Sequence, residues 1–232
     1  MDSRLLCFPH AGAGAGAFRS LAHGLRPGTE LWAVQYPARE DRSTEDPARS
    51  ITDIADNIGY ALQWLNDLPC AFLGHSMGAV VAYETARRTR RMGMQNPFRV
   101  FVSACESPQA FARQGISADE VGDVVRRLDR DGALPTESDV REMAVTVLED
   151  DLRLIGAYEH DARLDCPVPI TACVGGQDPD VRPADMMKWR EFTSAPFDLE
   201  TFPGDHLYLL ARPPEVNEAI TGRIVADLRD RG

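Results

Sequence analysis

"FLGHSMGAVVAYETARR", Phe72–Arg88, carries a G-x-S-x-G pattern at Gly74-His75-Ser76-Met77-Gly78, between an apolar strand-like run and a segment that reads as a helix. A nucleophilic serine has to stand on a sharp, strained strand-to-helix turn. The residues two before and two after it must be small for strand and helix to approach, and Gly74 and Gly78 meet that need. The helix that follows points its N-terminus at Ser76, so the Met77 N–H becomes one donor for a negatively charged tetrahedral intermediate. The same five residues could form an ordinary glycine turn. The rest of the chain decides between these readings.

Outward from this stretch, short apolar runs alternate with helix-length amphipathic segments. "RLLCF", "ELWAVQYP", "CAFLGHS", "FRVFVSA", "PVPITACVGG" and "FDLETFPG" read as strands, and several are almost continuously apolar, as strands covered on both faces should be. Between the second and third, Ile51, Ile54, Ala55, Ile58, Ala61, Leu62 and Leu65 repeat at helical spacing behind Ser50, a suitable N-cap. The closing "PPEVNEAITGRIVADLRD" places Val216, Ile220, Ile224 and Leu228 on one helix face. The alternation predicts an α/β fold with a mostly parallel sheet and right-handed crossovers.

One region departs from it. From 109 to 165 there is no strand pattern; Val121, Val124, Val125 and Leu128 form one apolar stripe, and Val140, Met143, Val147, Leu148, Leu152 and Ile155 form another. The reading is a single domain over 1–232 with a helical insertion at 109–165, placed where it would form a lid; an extra helical layer without a gating role is the alternative.

A serine nucleophile needs a base, and the base an orienting acid. His10 and His75 come too early in the chain, and His23 and His160 fall in predicted helices. His206, in "PGDHLYLL" after the last strand, remains as the base. In "CVGGQDPDV", Asp178 directly follows the penultimate strand and is taken as the acid. Asp180 is read as a helix cap and Asp205 as shaping the histidine loop.

The loop "FPHAGAGAGAF", Phe8–Phe18, admits two readings. Gly12, Gly14 and Ala17 fit the G-x-G-x-x-G/A dinucleotide fingerprint, with Glu30 near the spacing of a ribose-binding acid. Its glycines begin two residues late for that tight turn, however, and a Ser, Asp, His set occupies the same sheet edge. The loop is therefore read as supplying the second oxyanion donor, the Ala11 N–H, with Gly12 as the near alternative.

Taken together, "FPHAG", "YPARE" with Arg42, "GHSMGA", "GGQDPDV" and "GDHLYLL" resemble, in order and over essentially the whole chain, the type II thioesterases that accompany polyketide synthases and non-ribosomal peptide synthetases. Ala13 stands where a second glycine is common, and Ala38 where "PGR" is usual. The resemblance implies an α/β-hydrolase fold and a Ser76 that attacks an acyl thioester on the phosphopantetheine arm of an acyl or peptidyl carrier protein. Water then releases the acid, and stalled or wrongly primed groups are cleared. No metal or organic cofactor is called for. A stand-alone esterase or acyltransferase would use the same triad, and a noncatalytic binding module would have lost part of it.

Composition agrees. With 232 residues and a formal charge of −11, broad electrostatic binding to nucleic acid or to anionic membranes is disfavoured. No apolar run approaches a membrane span, and the start lacks a secretory pattern, so a cytoplasmic protein is expected. Cys7, Cys70, Cys105, Cys166 and Cys173 are scattered in or beside apolar strands and are expected to be reduced core residues.

Overall fold

The computed structural model describes residues 2–65, 67–113, 121–126, 136–163, 166–211 and 213–231. Six strands, β1 (Ser3–Phe8), β2 (Thr29–Ala33), β3 (Cys70–His75), β4 (Arg99–Ser103), β5 (Ile170–Gly175) and β6 (Phe197–Phe202), form one sheet in the order β2-β1-β3-β4-β5-β6. Every adjacent pair is parallel. The helices are α1 (Arg19–Gly24), α2 (Ile51–Leu62), α3 (Met77–Arg91), α4 (Pro108–Phe111), α5 (121–126), α6 (Ser138–Gly156), α7 (Pro183–Met186), α8 (Tyr208–Ala211) and α9 (Pro213–Arg231).

Alternate strand residues feed two cores. Leu6, Phe8, Phe72, Val100, Val102, Ile170 and Ala172 pack with α2, α3 and α6. Leu5, Cys7, Ala71, Leu73, Phe101 and Cys173 pack on the other face with Leu21 of α1 and with Val216, Ile220 and Ile224 of α9. Because successive side chains point to opposite faces, a strand buried on both must be apolar throughout, which is why these runs do not alternate. The five cysteines are free, four of them buried and Cys70 half-buried.

Helix α2 starts as its sequence implies: the Ser50 hydroxyl accepts the Asp53 N–H at 2.9 Å. The second strand ends earlier than its apolar run, at Ala33, because Gln35 and Tyr36 leave the sheet to hold the glycine loop. Between β4 and β5, no strand occurs among the described residues, which include α4, α5 and α6. In α6 the stripe divides. Val147, Leu148, Leu152 and Ile155 are buried, but Val140 and Met143 at its N-terminal end are exposed. On α5, Val121 is buried and Val124 and Val125 pack against the core; Leu128 lies outside the described residues. His160 is not helical: α6 stops at Gly156, and His160 lies beyond it in contact with the buried Glu84 and Arg87. No described helix is long and apolar enough to cross a membrane.

Candidate active site

Parallel strands bring their C-terminal ends to one edge, and the candidate residues collect there. Ser76 follows β3 directly, with φ 52° and ψ −124°, a positive φ that an L-residue adopts only under constraint. The surrounding backbone supplies it: the Ser76 N–H donates to the Ser103 carbonyl at 2.8 Å, and the Ser76 carbonyl accepts the Ala79 N–H at 2.9 Å. The flanking glycines are required by close approach. A Cβ on Gly74 would overlap the Gly78 carbonyl, and one on Gly78 would overlap the Phe8 and Pro9 carbonyls at the end of β1. The elbow is thus wedged against the neighbouring strand as well as its own helix. Met77, fully buried, opens α3 and carries its first N–H.

Asp178 and His206 are brought together. His206 Nδ1 lies 2.9 Å from Asp178 Oδ2, the carboxylate buried and the imidazole partly exposed. Asp178 Oδ1 accepts the N–H groups of Asp180 and Val181 at 2.8 and 3.0 Å. Burial alone would raise the Asp178 pKa, but the hydrogen bond and charge of His206, with those two N–H donors, hold it below the usual carboxylate range. An ionised Asp178 requires a proton on His206 Nδ1, which leaves Nε2 with a lone pair for the serine. Asp180 is exposed, and the N-cap of α7 is Arg182, so Asp180 does not cap that helix. Asp205 shapes the histidine loop: its carboxylate accepts the Leu207 N–H at 3.0 Å. The loop seats closely because Gly175, at the end of β5, has no Cβ to strike the Gly204 and Asp205 carbonyls. A metal would have to compete for the cluster of Asp178, Asp180 and His206, in which Asp178 already has three donors.

Beneath the site lies an uncharged layer. His75 is fully buried, its Nδ1 2.9 Å from Ser103 Oγ, which is 2.7 Å from the Tyr208 hydroxyl. Its Nε2 has no hydrogen-bond partner among the described residues. The His75 ring centroid is 5.3 Å from that of His206 and 5.7 Å from that of His10. Burial, then the charges of His10 and His206, push the His75 pKa well down; burial, then His206, lowers that of His10 to about 4. Chain order ruled these histidines out as the base, and their surroundings keep them neutral.

The glycine loop does not form a dinucleotide site. Residues Ala15–Phe18 form a 3₁₀ turn leading into the six-residue α1, and Glu30 lies at the opposite end of the strands, paired with Arg4 at 3.2 Å. The loop is clamped from the segment after β2. Tyr36 donates to the Pro9 carbonyl at 3.3 Å, Gln35 Oε1 accepts the Ala15 N–H at 2.7 Å, and Arg39 donates to the Ala13 carbonyl at 3.1 Å. Arg42 supports this segment through the Gln35 carbonyl. The Ala13 N–H returns to the His10 carbonyl at 3.1 Å, closing a turn whose third residue, Gly12, has φ +78°, the sign a type II turn requires there. The Gly12 N–H is already bonded to Asp151 Oδ2 at 2.8 Å, so of the two sequence candidates for the second oxyanion donor Ala11 is the one whose N–H is not committed to Asp151.

Residues 3–224 match the family model for the thioesterase domain. The chain belongs to the thioesterase family. Gramicidin S biosynthesis protein GrsT of Aneurinibacillus migulanus is 32% identical, over 93% of this chain and 86% of that protein. Thioesterase PikA5 of Streptomyces venezuelae is 33% identical, over 89% and 75%. Among solved structures, the type II thioesterase BorB from the borrelidin biosynthetic cluster superposes with a TM-score of 0.82 at 33% identity, covering 98% of this chain and 93% of its own. RedJ, the thioesterase from the prodiginine pathway in Streptomyces coelicolor, gives 0.83 at 29%, covering 97% and 85%. The α/β-hydrolase fold is shared with them.

Proposed function

We propose that this protein is a discrete type II thioesterase that hydrolyses acyl groups from the phosphopantetheine arms of acyl or peptidyl carrier proteins in the cytoplasm. The observation that carries this reading is the Asp178–His206 pair at the same sheet edge as the Ser76 elbow, in a chain of the thioesterase family. Ser76 Oγ gives its proton to His206 Nε2 and attacks the thioester carbonyl. The oxyanion is met by the N–H groups of Met77 and Ala11, each worth roughly 3 kcal/mol. The C–S bond breaks, the thiol takes the proton from His206, and a water activated by His206 then releases the acid from Ser76. Asp178 stabilises the imidazolium at each stage. The insertion at 109–165 serves as the lid over the acyl chain.

Intact-mass measurement of a panel of acylated carrier proteins, before and after incubation with this chain, tests the reading. Loss of the acyl mass with release of free acid is the expected result. Carriers that stay acylated while simple esters are cleaved would make the protein an esterase, and transfer of the acyl group to an alcohol or amine would make it an acyltransferase.

A further inference from the structure

Asp151 takes no part in the triad, yet it is the most completely buried acidic residue among the described residues of the insertion, at 0% exposure on α6. Both of its oxygens are occupied. Arg39 binds them in a fork, Nη1 to Oδ2 at 2.6 Å and Nη2 to Oδ1 at 2.7 Å, and Oδ2 also accepts the Gly12 N–H at 2.8 Å. An ion pair serving only to anchor α6 would need the fork alone. This one extends a bond to the backbone of the loop that carries the second oxyanion donor. Arg39 reaches the same loop from the other side, through the Ala13 carbonyl. The pair therefore brackets Gly12, gripping the N–H on one side of it and the carbonyl of the next residue on the other.

The bracket matters because of what Gly12 is. A type II turn and a type I turn differ chiefly by rotation of the central peptide, here Ala11–Gly12, and a glycine at the third position permits both. Rotation would reverse the direction of the Gly12 N–H and take it off Asp151. Leu148, one turn before Asp151 on α6, packs beneath the same residue: a Cβ on Gly12 would lie 3.3 Å from Leu148 Cδ1. We propose that Asp151 is a positioning residue, which anchors the His10–Ala13 turn through the Gly12 N–H and so fixes where Ala11, with the N–H of the preceding His10–Ala11 peptide, stands against the oxyanion, making a seated α6 a requirement for transition-state stabilisation. The proposal rests on the hydrolase reading above and adds a role for the insertion that a passive cover would not have.

The test compares the wild-type chain with Asp151→Asn, using hexanoyl-N-acetylcysteamine as substrate and a trifluoromethyl ketone of the same chain length as inhibitor. The ketone forms a hemiketal with Ser76 whose oxygen occupies the oxyanion position, so its affinity reports the donors directly. Misplacing one donor should lower kcat about 100-fold, with KM within about threefold, and weaken the ketone by a factor comparable to the kcat loss. Thermal melting verifies that the variant is folded at the assay temperature. If Asp151→Asn does not fold, Asp151→Glu keeps the charge for Arg39 while its longer stem moves the carboxylate off Gly12, and the same split is expected. A folded variant with wild-type kcat, or one with reduced kcat and unchanged ketone affinity, overturns the assignment. An inactive wild-type chain overturns instead the reading on which it rests.

Discussion

At Ala38 the chain holds an alanine at φ +65°, where the related pattern has glycine. The left-handed conformation costs an L-residue roughly 1–2 kcal/mol, and the greater freedom of glycine in the unfolded chain offsets about 0.5–1 of that. Ala38→Gly should therefore stabilise the protein by up to about 1 kcal/mol in chemical denaturation, and a loss of stability would show that the neighbouring Arg39 contacts need the stiffer residue. Ala13, the other departure, has no positive φ, so alanine is accommodated there without strain. Sharper effects belong to the triad. A fluorophosphonate should add one label, lost in Ser76→Ala. Asp178→Asn should lower turnover about 10⁴-fold, because an amide favours the wrong imidazole tautomer, and Asp180→Asn should cost far less, since only its N–H bonds Asp178. The reverse ranking of the two asparagine variants would transfer the acid role. These three residues were legible in the sequence because each sits beside a strand end with a local signature. Asp151 was not: its spacing from Leu148 and Ile155 sets it on the buried face of α6, but its partners Gly12 and Arg39 lie more than a hundred residues away and nothing local to α6 points to them.

The elements divide the same way. The inner strands β1, β3, β4 and β5 could be read because burial on both faces leaves an almost continuous apolar run, the half-buried edge strands β2 and β6 only from shorter apolar runs, and α2 and α9 because a single buried face leaves a 3.6-residue rhythm. What periodicity could not supply was the depth of burial along one helix. The apolar stripe of α6 predicted Met143 and Val147 as equally inward, yet Val147 is 8% exposed and Met143 55%. The two now give a contrast within one element. Val147→Trp overfills a packed position, which costs typically 1–3 kcal/mol, and where the fold survives it should slow hydrolysis of long acyl thioesters more than of acetyl or propionyl ones. Met143→Trp should leave both stability and chain-length profile nearly unchanged. Equal losses for all chain lengths in a stable Val147→Trp protein would make α6 a structural layer with no wall of the acyl pocket. The elbow offers a harsher test: Gly78→Ala drives a methyl into the Phe8 and Pro9 carbonyls, which are backbone and cannot swing aside, so a large loss of stability is expected by thermal melting.

Across the molecule, the shifted groups that titrate below neutral pH slope in one direction. Burial, and then neighbouring imidazoles, hold His10 at about 4 and His75 well below the ordinary 6.5, so between pH 6.5 and 4 the unfolded chain binds protons that the folded chain refuses. Stability from this source is complete above pH 6.5 and is lost as pH falls through that window. The buried Glu84 adds the acid end. Burial works against its ionisation, but the neighbouring His160 imidazole 3.9 Å away, the charges of Arg87 and Arg88 and a hydrogen bond from Tyr158 bring it to about 2, so its contribution is complete above 4.5 and is lost toward pH 2. Between pH 6.5 and about 5.5 the carboxylate hardly titrates in either state, and His10 and His75 each add to the slope by at most about 1.4 kcal/mol per pH unit. Denaturation at a series of pH values should accordingly show stability falling below pH 6.5. His10→Gln, which keeps a polar side chain next to His75 but cannot take up a proton in this range, should flatten that fall without abolishing it, since His75 remains. A variant whose pH dependence matched the wild type would mean that His10 titrates alike in the folded and unfolded chain, and that the uncharged layer under the active site is maintained by His75 alone.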